Sequence, residues 1–136
     1  MNRDEIFKVV QTNIAEALGL DADEVHLKDT LIEDLGAESL DFLDIAFRLE
    51  QDLGIKIPRG DVQSRAEQSA GDDPFEVDGV LTAVGLQKLR EAMPEVTPDK
   101  FKAGLTTREI PYLFTVETFH NLCVRLVDDK EQGMGG

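Results

Sequence analysis

Asp34-Leu35-Gly36-Ala37-Glu38-Ser39-Leu40-Asp41 runs straight into Phe42-Leu43-Asp44-Ile45-Ala46-Phe47-Arg48-Leu49-Glu50-Gln51-Asp52-Leu53-Gly54, and this stretch decides the fold class. From Ser39 to Leu53 the apolar side chains Phe42, Ile45, Ala46, Leu49 and Leu53 recur at helical spacing and form a stripe to be buried. Asp41, Asp44, Arg48, Glu50 and Asp52 occupy the remaining positions, with Leu40, Leu43 and Phe47 on a neighbouring face. Gly54 ends the helix, and Pro58 forces Ile55-Lys56-Ile57 into an extended conformation.

Upstream, Asn2 and Glu5 have the spacing of a capping box. Ile6, Val9, Val10, Ile14, Ala17 and Leu18 then follow a helical period up to Gly19. The connection from Leu20 to Glu38 is long for a small domain, with Val25, Leu27, Leu31 and Leu35 as anchors, and loops of that length are usually functional. Downstream, residues 61–73 are weakly patterned and read as a mobile loop. A helix is expected near 79–92, with Leu81, Leu86, Leu89 and Met93 on its apolar side. Thr97-Pro98 reads as the start of a short helix, with Val96 and Phe101 at staple spacing, and Thr106 and Glu109 repeat the capping-box spacing before Pro111 interrupts. Thr115 caps a last helix carrying Val116, Phe119, Leu122, Cys123, Leu126 and Val127, and the chain from Asp128 reads as a disordered tail. No strand pattern of any length is visible, so the expected class is all-α.

The chain has 136 residues, with 28 acidic against 14 basic side chains and a formal net charge of −14. Such a surface repels nucleic-acid backbones and anionic lipid, and its natural counterpart is a partner with a basic patch. One cysteine excludes an internal disulfide and suits a reducing cytoplasm. No apolar run reaches membrane-spanning length, and none near Met1 reads as a signal peptide. Two histidines and one cysteine leave little material for metal or nucleophile chemistry.

Ser39 has two readings. As a plain N-cap it satisfies free amides at the helix start. As an attachment point it places a phosphodiester at the positive end of the helix dipole, with Gly36 allowing the turn that exposes the hydroxyl. The stretch Asp34–Asp41 resembles the attachment motif of acyl carrier proteins. The resemblance extends through Asp44, Leu49-Glu50, Gly54 and Ile55–Pro58, and covers residues 1–60 and 113–130 in all. It implies a four-helix bundle in which Ser39 receives 4′-phosphopantetheine from coenzyme A through a magnesium-dependent phosphopantetheinyl transferase. The arm's thiol then carries an acyl chain as a thioester, and the chain itself catalyses nothing. The resemblance also implies that Asp34, Glu38, Asp41, Asp44 and Glu50 form an acidic face read by acyltransferases and fatty acid synthesis enzymes, with Leu40, Leu43 and Phe47 as apolar spots within it.

Two features depart from that family. Glu38 stands where aspartate is usual. Residues 61–112 form an insertion with ten acidic and six basic side chains. Its apolar members (Val80, Leu81, Val84, Leu86, Leu89, Met93, Phe101 and Leu105) read as too few for a separate core, so the expected organisation is one carrier domain over 1–130, interrupted at about 61–112, with 131–136 as tail. The wording from Ser39 to Phe47, with Ile57-Pro58 and Asn121-Leu122-Cys123, is most similar to specialised bacterial carriers of long hydroxyacyl chains for lipid A of lipopolysaccharide. A peptidyl or D-alanyl carrier using the same arm is the alternative. A cytoplasmic monomer that binds no nucleic acid and is not integral to a membrane is expected.

Other chemistries fit less well. A serine hydrolase requires Gly-x-Ser-x-Gly at a strand-to-helix elbow, and Ser39 is followed by Leu40-Asp41. An EF-hand starting at Asp21 requires a ligand at 25, glycine at 26 and glutamate at 32, where the chain has Val25, His26 and Ile32. His26 and His120 read as surface or boundary residues.

Overall fold

The computed structural model describes residues 1–58 and 60–134. The chain divides into two compact units, one made of residues 1–57 and 114–136 and the other of residues 58–113. The fold is largely helical, as expected.

In the first unit, α1 (Arg3–Leu18) starts at Asn2, whose Oδ1 accepts the Glu5 N–H at 2.9 Å while the Glu5 carboxylate accepts the Asn2 N–H at 3.0 Å. Gly19 closes it at φ +72°. α2 (Ser39–Leu53) and α5 (Val116–Met134) both pack against α1. Ile6, Val10, Ile14, Ile45, Leu49, Val116, Phe119 and Cys123 converge in one buried cluster, as their spacing predicts. Phe42, Phe114 and Phe119 meet with ring centroids 5.7–6.0 Å apart. His120, expected at the surface or its boundary, is instead buried, with its Nε2 2.9 Å from the Arg3 carbonyl oxygen and its ring edge-on to Phe7. Adjacent helical residues point about 100° apart, so His120 turns to Phe7 and Arg3 on α1 while Phe119 turns to Phe42 and Phe114.

The connection between α1 and α2 is pinned as its anchors suggest: Val25 and Leu31 are fully buried, and Leu27 and Leu35 partly so. Its backbone also grips the entry to α5. Leu31 N–H donates to the Phe114 carbonyl, Val116 N–H to Asp29 and Glu117 N–H to Leu27, each at 3.0 Å. α5 itself runs further than expected. The sequence reading put a tail from Asp128, yet the helix continues to Met134. Asp128-Asp129-Lys130-Glu131-Gln132 contains no breaker, Glu131 accepts the Met1 amino group at 3.0 Å, and Lys130 Nζ reaches the Leu53 carbonyl at 3.4 Å. Gly135 and Gly136 lie outside the described residues.

The second unit corrects the sequence reading most. Residues 61–73 were expected to be a loop, but Asp61–Ala70 form helix α3, which packs on α4 (Ala83–Ala92). Its buried stripe is Val62, Ala66 and Ala70, spaced four apart. Two alanines supply little hydrophobicity, which hides the period, but they let another helix come close. The helix expected from 79 begins at Ala83, where the Thr82 hydroxyl caps it by accepting the Gly85 N–H at 3.0 Å. Before it lies a hairpin, β1 (Glu76–Val77) and β2 (Val80–Leu81), turned by Asp78 (φ +52°) and Gly79 (φ +83°). Asp-Gly is the residue pair that a type I′ turn favours. A Cβ at Gly85 would overlap the Phe75 carbonyl oxygen, so glycine is required where α4 meets the hairpin. The short helix after Thr97 is present, while the turn opened by Thr106 and Glu109 runs on through Pro111 to Leu113. Phe75, Leu81, Leu89, Met93, Val96 and Ile110 are also buried in this unit. The sequence reading of too few apolar residues left out the small and flanking ones.

Candidate functional site

The mouth of α2 is built by a turn. Asp34 Oδ2 accepts the Thr30 N–H at 2.8 Å, and the Thr30 hydroxyl accepts the Asp34 N–H at 3.1 Å. Gly36 then takes φ +78°, a left-handed conformation that costs a side-chain-bearing residue about 1 kcal/mol, although space for a Cβ exists. Ala37 is drawn into the core, its N–H donating to the Leu31 carbonyl at 2.8 Å. With Ala37 buried, the next residues are thrown outward, and Glu38, Ser39 and Leu40 are all exposed.

Glu38, and not Ser39, is the N-cap of α2. The Asp41 carboxylate accepts the Glu38 N–H at 2.8 Å, and the Asp41 N–H donates to the Glu38 carbonyl at 2.9 Å. Ser39 therefore sits at the first helical position, and the capping role that would give it an ordinary structural duty is filled without it. Among the described residues its hydroxyl makes no hydrogen bond, and the amides of Ser39 and Leu40 donate to no protein group. An exposed, unengaged hydroxyl beside two free amides at a helix start suits a covalently attached phosphate.

Down the helix, Leu40, Leu43 and Phe47 are 75%, 46% and 61% exposed, an apolar strip with no cover among the described residues. The acids predicted to surround it are mostly tied to the fold. Asp34 staples the turn, Asp41 serves the cap, and Glu50 Oε2 accepts the Ile57 N–H at 2.8 Å, fastening the extended exit. These neutral donors leave the carboxylate charges in place. Among the described residues Asp44 alone of the predicted set faces a cation, Arg48, whose Nε lies 3.1 Å from Asp44 Oδ1 and whose guanidinium also reaches Glu16 Oε2 at 3.3 Å. In the sequence Arg48 reads only as a polar position of α2, and Glu16 carries no signal of this role. The Asp44–Arg48 spacing of four was the available signal.

Among the described residues no group of three or more His, Cys, Asp or Glu is arranged to hold a metal ion. Cys123 is fully buried, and burial pushes its thiol up to about 12. In the native protein it should resist iodoacetamide at about pH 8 and react once urea unfolds the chain. Its folded pKa lies above its unfolded one, so its contribution to stability is full below about pH 9 and is lost as pH rises towards 12. The urea midpoint of the parent should accordingly fall over that range relative to a Cys123→Ala variant. A native thiol that alkylates as fast as a free one would contradict the packing.

The family described as "Phosphopantetheine attachment site" matches residues 8–66, a range that holds most of α1, the turn, Ser39 and α2. Over 55 residues the chain is 47% identical to the acyl carrier protein of Treponema denticola, covering 40% of this chain and 70% of that protein. It is 40% identical over 62 residues to that of Thermotoga maritima, covering 46% and 76%. It is 37% identical over 67 residues to that of Clostridium acetobutylicum, covering 49% and 84%. Among the described residues no helix is long and apolar enough to cross a membrane. With this likeness over more than two thirds of each of those relatives, the chain belongs to the acyl carrier protein family.

Proposed function

We propose that Ser39 carries the covalent 4′-phosphopantetheine arm of this carrier and that α2 presents the loaded arm to partner enzymes. The single observation that carries the reading is the exposed, unbonded Ser39 hydroxyl at the first position of α2, within the range matched by the attachment-site family. In the attachment step the Ser39 oxygen forms a phosphoester bond while the diphosphate link of coenzyme A breaks. The hydroxyl proton passes to a base of the transferase, and the adenosine half leaves with the electron pair. When bound, the arm supplies a terminal thiol that holds an acyl group as a thioester. The protein contributes position: Gly36 and Ala37 set the exposure of Ser39, and the free amides favour the phosphate charge. The family's members are carriers and not enzymes, and nothing further is asked of the chain's own residues. Intact-mass measurement after co-expression with a phosphopantetheinyl transferase tests the reading, with one added arm expected and an unchanged mass counting against it.

Asp34, Glu38, Leu40, Asp41, Leu43, Asp44, Phe47 and Glu50 form the docking face in this reading, supported by the exposed strip and the retained charges. Because Asp41 also accepts the Glu38 N–H, asparagine is the right replacement, keeping an acceptor while removing charge. Asp41→Asn should slow association with the transferase several-fold at low salt. That effect should shrink near physiological ionic strength, where the screening length is about 8 Å. Equal rates for parent and variant at low salt would move recognition off α2.

The finer assignments are proposals as well. Residues 1–130 work as one carrier domain interrupted by the insertion, in a cytoplasmic monomer whose buried, unpaired Cys123 suits a reducing compartment. The cargo is an acyl chain, and the wording of α2 together with the added unit favours long hydroxyacyl chains for lipid A. Acyl-ACP synthetase should load the arm and an adenylation enzyme should not, and the reverse result would favour a peptidyl or D-alanyl carrier. Since the attachment elements lie within residues 34–52, replacing 58–113 by a Gly/Ser linker should leave arm attachment intact in a folded product. Transfer of a long acyl chain by the cognate acyltransferase should suffer. A deletion protein that folds but cannot be modified would give the insertion a part in attachment.

A further inference from the structure

We infer that Arg48 is an internal competitor for the docking face: by pairing with Asp44 and Glu16 it must be displaced by a basic partner, and so it sets how well such partners dock. The inference rests on the reading of α2 as the docking helix.

Arg48 is the one basic residue between Ser39 and Leu53, among four acids. It follows Phe47 of the exposed strip, and its side chain remains 37% exposed, so it belongs to the surface a partner would meet. What separates Asp44 from its neighbours is the charge of its partner. Asp34, Asp41 and Glu50 accept backbone N–H groups, which orient a carboxylate without cancelling its charge. Asp44 faces a full cation at 3.1 Å, and the same guanidinium spans to Glu16 on α1 at 3.3 Å. Seen from a few ångströms away, three point charges summing to −1 replace the −2 that the two carboxylates alone would present. The attraction felt by an incoming Lys or Arg is therefore weakest at the middle of α2, between Asp41 and Glu50.

Exposed ion pairs of this type add little to folding stability, because water screens them and both side chains lose freedom. They therefore open readily. A partner whose own cation replaces Arg48 at Asp44 gains that contact but must leave the displaced guanidinium nearby, at a like-charge penalty. A partner offering a carboxylate opposite Arg48 escapes the penalty. One residue thus divides partners by the charge they bring to the fourth position after Asp44, while contributing little to the fold.

The test uses the full chain and a phosphopantetheinyl transferase with a basic docking patch, with association rates followed at low and moderate salt. Arg48→Gln should raise the association rate about 3- to 10-fold at low salt, and salt should erode the gain. Its thermal midpoint should stay close to the parent's, which a merely structural role would not predict. Lys8→Gln, an equal charge change at an exposed position of α1, should produce a smaller gain. Asp44→Asn should slow the Arg48→Gln variant more than the parent, since only in the variant can a partner cation bond Asp44 without first displacing a guanidinium. If Arg48→Gln behaves like Lys8→Gln, or if Asp44→Asn has the same effect in both backgrounds, the inference is overturned. Asp41→Asn separates the two levels. A slower Asp41→Asn with an unchanged Arg48→Gln leaves the docking face standing and removes Arg48 from it, whereas no effect from either removes the docking face and this inference together.

Discussion

Co-expressed with a phosphopantetheinyl transferase, the Ser39→Ala protein should emerge at its unmodified mass, while the parent gains one arm. The expected loss is complete because, on the proposed reading, the hydroxyl that the substitution removes is the one that bonds phosphorus. Exposure alone does not single out Ser39. Ser64 and Ser69 are exposed too, but they lie inside and near the end of α3, where the amides of a helix are already spent on its own carbonyls. Ser39 stands where amides are free and where a turn built by Thr30, Asp34 and Gly36 holds the hydroxyl outward. The substitution should be close to neutral for stability, since the cap is Glu38 and the Ser39 hydroxyl holds no bond. Circular dichroism checks that point, and mass spectrometry checks the loss. An arm on the alanine variant would transfer the site elsewhere.

Leu49→Ala and Phe119→Ala should be the most damaging single changes to the first unit. Leu49 is fully buried and Phe119 is 3% exposed, with the Phe119 ring also meeting Phe42 at a tilt and Phe114 edge-on. Removing either side chain loses transfer free energy and leaves a cavity that the surrounding helices only partly fill, for a cost of about 2–5 kcal/mol. Domains of this size are typically stable by about 5–15 kcal/mol, so the loss is a large share of the total. Urea unfolding followed by far-UV circular dichroism should show it. The chain's single tyrosine, Tyr112, lies in the second unit and is half exposed, so tyrosine fluorescence would not follow this change. Losses within experimental error at both positions would mean that the stripes do not face one another.

The first unit was legible because each of its signals is local. Asn2 with Glu5, the period from Ile6 to Leu18, Gly19, the stripe from Phe42 to Leu53 and Thr115 ahead of Val116 all lie within a turn or two of the element they define. The second unit resisted for an equally physical reason. α3 buries Val62, Ala66 and Ala70, and a stripe of mostly methyl groups carries too little hydrophobic contrast to stand out against Gln, Ser and Glu. The hairpin has only two residues per strand, too short for alternation to register, although Asp78-Gly79 marked its turn. At the site, Ser39 and its surrounding acids could be named from the motif. What each carboxylate is doing could not, because the donors are supplied by geometry: the Thr30 and Glu38 amides close a turn and a cap, and the Ile57 amide comes from the segment after the helix. Glu16 entered through α1, a helix that the motif does not mention.

The grip of residues 27–31 on the entry to α5 bears on how such a chain can accommodate added sequence at all. The hydrogen bonds from Leu31 to Phe114, Val116 to Asp29 and Glu117 to Leu27 set the register of the last helix from the connection between the first two. That register is thus independent of whatever directly precedes Phe114. The cost of a longer path between Ile57 and Phe114 is then chiefly one of loop closure. Lengthening a connection from about five residues to one on the scale of the unit 58–113 adds only about 2 kcal/mol for wholly flexible chain. A folded segment confines its own ends and need not incur even that. The position after α2 is therefore a port at which added chain, such as the unit 58–113, need not retune the helices of the bundle.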